Sequence, residues 1–135
     1  MSTASLKYVG ATLIVATLAM FNPSDVGAQS QSDMNAAAQQ ELGSVENKLQ
    51  KAVVKYRQRL NAGQLRAFDE SQRLWLSYRK AACDFQSSGV AQGSALPMIL
   101  AYCLRDQAVD RLKVLDYLAN CQEGDLSCPA FKQGT

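Results

Sequence analysis

The residues most able to do covalent chemistry are four cysteines, Cys83, Cys103, Cys121 and Cys128, in a chain with no histidine. Without imidazole the commonest general base and the commonest metal ligand are both missing. A zinc site would have to use all four thiols. Two of them lie in separate helical stretches and the other two are spaced C-x6-C, a poor arrangement for tetrahedral ligation. An even number of cysteines in an exported chain points to two disulfides, with three possible pairings. Oxidised cysteines are not nucleophiles. The chain has no Gly-x-Ser-x-Gly elbow and no phosphate loop, and Asp69 and Glu70 are adjacent, so they point to different parts of a helix surface. The chemistry expected is therefore disulfide formation and binding, not catalysis, with no cofactor and no metal.

The argument for export comes from the amino terminus. Met1 to Ala28 reads as a secretory signal peptide, with Lys7 in the n-region and an apolar run from Val9 to Met20. Pro23 and Gly27 interrupt any continuing helix, and Val26-Gly27-Ala28 offers small residues for cleavage before Gln29. The run is shorter than the roughly 20 apolar residues a membrane span needs. No cysteine follows it to carry a lipid, so the mature chain is expected in the periplasm or outside the cell, with no stable membrane anchor. The expected division is residues 1–28 signal, 29–120 one helical domain, and 121–135 an irregular tail closed by a disulfide. The formal net charge of +2 is too mild to argue for nucleic acid or a membrane surface.

Three helical stretches must position the cysteines. Met34, Ala38, Leu42, Val45, Leu49, Val53, Tyr56 and Leu60 recur in steps of three and four, which is a single helical stripe. Ser32 or Asp33 is expected to cap its start, and Gly63 to end it in a left-handed conformation. Gly43 sits inside the pattern without breaking it. A second helix, Gln64 to Gln86, has an apolar face of Leu65, Phe68, Trp75, Tyr78, Ala82 and Phe85, with Gln72 as a polar gap. The segment Ser87 to Ser94 is rich in glycine and serine and reads as a loop. Ser94 is expected to cap a third helix with Pro97 in its first turn and a face of Met98, Ile99, Tyr102, Val109, Leu112, Leu115 and Leu118.

Amphipathic helices joined by short turns bury their stripes on one another, so the fold class is all-α, a small antiparallel three-helix bundle. In an antiparallel pair Cys83, near the end of the second helix, and Cys103, two turns into the third, sit at similar heights. The favoured pairing is Cys83–Cys103, with Cys121–Cys128 closing the tail on itself. Crossed pairings would instead tie the tail into the bundle.

The stretch Ser71-Gln72-Arg73-Leu74-Trp75-Leu76-Ser77-Tyr78-Arg79-Lys80-Ala81-Ala82-Cys83, the following Gly-rich loop, and Pro97-Met98-Ile99-Leu100-Ala101-Tyr102-Cys103 resemble the signature of LprI-like lysozyme inhibitor domains. Asp33-Met34-Asn35 looks like the Met-Asn motif at the start of that family's first helix. The resemblance reaches to about Leu118. It differs in having no cysteine before Cys83, and the Cys121/Cys128 tail lies beyond it. It implies a helical domain that binds and inhibits lysozyme, with Arg73, Trp75, Tyr78, Arg79, Cys83 and Cys103 as mainly structural signature residues.

Three surfaces are candidates for a partner. Ser87, Ser88, Gly89, Gln92, Gly93 and Ser94 form a polar loop on a stapled scaffold. Such loops often carry binding, and a lysozyme cleft is lined by carboxylates that hydroxyl and backbone N–H groups can meet. Trp75, Tyr78 and Arg79 are expected chiefly in the core, with Arg79 at its edge, either contacting a ligand or pairing with Asp84, Glu41 or Glu46. Lys48, Lys51, Lys55, Arg57, Arg59 and Arg66 make the end of the first helix basic, which supports a second reading: a non-inhibitory module docking an envelope partner through that face.

Overall fold

The computed structural model describes residues 23–130, so the predicted n- and h-regions of the signal lie outside the described residues. The chain folds into α1 (Pro23–Arg57), α2 (Ala62–Ser87) and α3 (Leu96–Ala119), with a short 3-10 turn at Ser88–Val90, and no strand occurs among the described residues. α3 packs against both other helices, more extensively against α1. Cross-links give the directions. Asn35 reaches Ser94 while Arg59 reaches Ala119, so α1 and α3 run parallel. Cys83 meets Cys103 while Gln72 meets Arg111, so α2 runs antiparallel to α3.

α1 forms because its apolar positions hold one stripe over many turns. Ala38, Leu42, Leu49 and Tyr56 are buried, and Val45, Val53 and Leu60 pack beside them. Met34, the first expected stripe residue, is exposed. The helix begins at Pro23, where a missing N–H is harmless. Ser32 and Asp33 therefore lie inside it and cap nothing. Its 35 residues make a rod of about 52 Å.

The turn between α1 and α2 differs from expectation at Gly63. The Asn61 side-chain oxygen accepts from the N–H groups of Gly63 and Gln64, both at 3.0 Å, and the Gln64 side chain accepts from the Asn61 N–H at 3.0 Å. This capping box draws Gly63 into the first turn of α2. Among the described residues Gly124, in the tail, is the glycine with positive φ, at 93°. Ser94 likewise caps nothing: α3 starts from Ala95 without a side-chain cap, and Pro97 occupies the first turn as expected.

The core has two clusters along the α1–α3 seam. Ala38, Leu42 and Ala101 form one end, and Leu49, Tyr56, Phe68, Ala108 and Leu115 form the other. Ala38, Ala101 and Ala108 are fully buried, and their small side chains allow close helix approach. Tyr56 and Phe68 meet edge to face with centroids 5.3 Å apart.

Both favoured disulfides are present. Cys83–Cys103 spans 5.6 Å between Cα atoms and links α2 to α3, and Cys121–Cys128 spans 5.8 Å within the tail. The tail is further ordered by Asp125, whose carboxylate accepts from the Ser127 N–H at 2.9 Å and hydroxyl at 2.6 Å. Those bonds hold the Asp125 carboxyl below its usual range.

Two stability outcomes follow. Replacing Cys83 and Cys103 together by alanine should cost about 3 kcal/mol in chemical denaturation, since the bridge closes a loop with a sequence separation of 20; the Cys121/Cys128 pair, with its shorter loop, should cost less. Gly43 lies within α1 and an added Cβ would meet nothing within 4 Å. Gly43→Ala should therefore stabilise by about 0.5–1 kcal/mol, seen as a raised denaturation midpoint at constant slope.

Candidate functional site

The signature stretch places one arginine where all three helices meet. Arg79 of α2 is 6% exposed. Its Nε and Nη2 donate to the Leu104 carbonyl of α3 at 3.1 and 2.6 Å, and Nη2 also donates to Glu46 of α1 at 3.0 Å. Its guanidinium stands 5.4 Å from the centroid of the Trp75 ring. Arg111 of α3 approaches the same ring at 5.7 Å and donates to Gln72 at 2.6 Å and to Ser71 at 3.2 Å. Burial pushes the Arg111 guanidinium pKa down.

This geometry rotates α2 from the face expected. Its buried residues are Phe68, Arg79, Cys83 and Ser87, with Gln72 and Trp75 partly covered. Tyr78 is 62% exposed and Phe85 79% exposed, so neither belongs to the core. The physical reason is that the Arg79 charge is met by Glu46 and the Leu104 carbonyl, which makes an arginine acceptable where apolarity alone selects its neighbour. Arg73 is also outward and forms a local ion pair with Glu70, Nη2 to Oε1 at 2.6 Å. Of the signature residues, then, Trp75, Arg79, Cys83 and Cys103 hold the fold, while Arg73 and Tyr78 lie on the surface.

Two of the expected partner contacts are likewise inside. Arg79 is committed to the three-helix junction. Ser87 is 3% exposed, and its hydroxyl donates to the Cys83 carbonyl at 2.8 Å, closing the last turn of α2. Ser88, Gly89, Gln92, Gly93 and Ser94 are exposed and form, with their neighbours Val90, Ala91 and Ala95, a depression of about 420 Å³. The loop is braced by backbone bonds Ala91 N–H to Ser88 O at 3.3 Å and Gly93 N–H to Val90 O at 2.8 Å. Two α1 side chains brace this end: Asn35 donates to the Ser94 carbonyl of the loop at 3.0 Å, and Gln39 to the Pro97 carbonyl in the first turn of α3 at 3.3 Å. These positioning residues escaped the sequence reading, although Asn35 belongs to the Met-Asn motif that the resemblance singled out.

The basic end of α1 is partly spent on its own fold. Arg57 pairs with Asp69, and Arg59 donates to the Ala119 carbonyl at 2.5 Å, where a cation suits the end of α3. Lys48, Lys51 and Lys55 remain exposed.

The order of these parts, an Arg/Trp helix, a stapled loop and a helix with the second cysteine, can be set against known families. The family model for lysozyme inhibitor LprI matches residues 23–115. The chain belongs to the lysozyme inhibitor LprI family. The LprI match spans all of α1 and α2, the loop, and α3 to Leu115, and it stops before the Cys121–Cys128 tail. It begins at Pro23, upstream of the cleavage position expected after Ala28. The family is one of inhibitors and not of enzymes. No curated protein and no solved structure matches the chain.

The junction supplies its own test. Arg79→Lys keeps the charge and loses the fork on Leu104, so it should lower stability by about 2 kcal/mol in urea denaturation. Glu46→Gln should cost less than about 1 kcal/mol, because the Glu46 side chain is 46% exposed.

Proposed function

We propose that the chain is an exported binding protein that inhibits lysozyme by occluding the enzyme's cleft, with the Ser88–Ser94 loop as the contact surface. The observation that carries this reading is a polar loop, exposed at every position but Val90, held on a scaffold of the LprI family. The Cys83–Cys103 bridge, the buried Ser87 and the Asn35 and Gln39 side chains fix it from three helices. A preorganised loop loses little conformational freedom on binding. Its hydroxyl, amide and N–H groups suit the carboxylates of a glycosidase cleft. Phe85, one turn before the loop and 79% exposed, supplies an aromatic anchor beside it.

Two disulfides support an oxidising compartment. No helix among the described residues is long and apolar enough to cross a membrane. With the signal expected over residues 1–28, the reading places the mature protein in the periplasm or outside the cell.

A lysozyme turbidity assay on the oxidised protein tests the proposal, run against c-type, g-type and i-type enzymes. Dose-dependent inhibition of at least one class, saturating near equimolar protein, is expected. Gln92→Glu combined with Phe85→Ala should weaken it by about 30-fold or more, since a carboxylate is set against carboxylates and an anchor is lost. Neutralising Lys51 and Lys55 should leave it unchanged. Absence of inhibition by protein with a helical circular dichroism spectrum, or inhibition untouched by the loop variant, would refute it.

A further inference from the structure

At the end of the bundle away from the loop, the last turns of α1 and α3 and the first turns of α2 leave a groove of about 270 Å³. Its walls are mainly apolar, from Leu60, Ala67, Phe68 and Leu118, with Pro129 of the tail at one side. Four polar side chains break that lining: Tyr56, Gln64, Ser71 and Arg111. Tyr56 is 2% exposed and its hydroxyl has no hydrogen-bond partner among the described residues. Arg111 is half-buried, and none of the ion pairs among the described residues includes it.

The guanidinium calls for a ligand of one kind. A guanidinium withdrawn from water favours an anion, and a carboxylate accepts two of its N–H groups at once. Arg111 uses Nε and Nη2 on neutral oxygens, Gln72 and Ser71, and stands over the Trp75 ring, so it has no carboxylate partner among the described residues. Burial without a neighbouring carboxylate is also what lowers its pKa. The groove is smaller than the roughly 300–1,000 Å³ of drug-sized sites, so the ligand is small. Its apolar walls select a hydrocarbon body.

We propose that this groove binds a medium-chain carboxylate, with the anion on Arg111 and the chain along Leu60, Phe68 and Leu118. The site is independent of the inhibitor reading. It lies at the opposite end of α2, whose 26 residues span about 39 Å, so failure of one leaves the other standing.

The protein reports on the site itself, because its one tryptophan, Trp75, has Arg111 at its ring face. Titration of the oxidised protein with octanoate should give saturable calorimetric heat and a parallel change in Trp75 fluorescence. 1-Octanol, which has the chain without the charge, should bind at least about tenfold more weakly. Arg111→Gln should lose about tenfold or more. Ala67→Phe, which fills the groove from an exposed position, should also abolish the signal, and it decides the matter if Arg111→Gln disturbs the helical spectrum. Equal binding of octanoate and octanol, or octanoate binding that survives Ala67→Phe, would overturn the proposal. So would sedimentation showing that octanoate only dissolves a dimer, which would assign the groove to a second copy of the chain.

Discussion

Arg79 is the point at which the three helices are held to one another. A guanidinium cannot be buried alone, and here every part of its requirement is met by a different helix: Trp75 on its own helix, the Leu104 carbonyl on α3 and Glu46 on α1. The consequence is rotational. Hydrophobic burial is non-directional and would accept α2 in more than one orientation. The donor fork of Arg79 accepts one. That choice sends Cys83 inward toward Cys103, seats Ser87 under the loop, and turns Tyr78 and Phe85 outward.

The bundle has two ends with different physics. At the loop end, covalent and polar restraints do the work: the disulfide, Ser87, Asn35 and Gln39. The result is a rigid, polar surface suited to meeting another protein. At the other end, mainly apolar side chains line a groove whose one cation, Arg111, has no carboxylate partner among the described residues. The tail, closed by Cys121–Cys128 and tied through the Gln64 side chain to the Pro129 carbonyl, lies against this second end. The family match stops short of that tail, so the groove's Pro129 wall is outside the matched segment.

Much of this was written into local pattern. The α1 stripe from Ala38 to Leu60 needed only helical periodicity, because that helix buries a single apolar face. Both disulfides were legible because four cysteines, helix direction and loop length leave one economical pairing. The Trp-Arg-Cys order located the family. Helix ends are less legible: Gly63 reads as a terminator, whereas Asn61 and Gln64 bind each other's backbone and start α2 two residues earlier. A cap is a competition between neighbouring hydrogen bonds, and composition does not rank the competitors.

The face of α2 is where sequence and structure part. By itself the sequence determined a stapled all-α domain, its three helices and the position of the polar loop, because periodicity, cysteine spacing and glycine content are local properties of the chain. Only the tertiary structure decided that Arg79 and Ser87 lie inside while Tyr78 and Phe85 face solvent. The partners that make a buried arginine tolerable come from residues 33 and 25 positions away in sequence, and no local pattern carries their arrival.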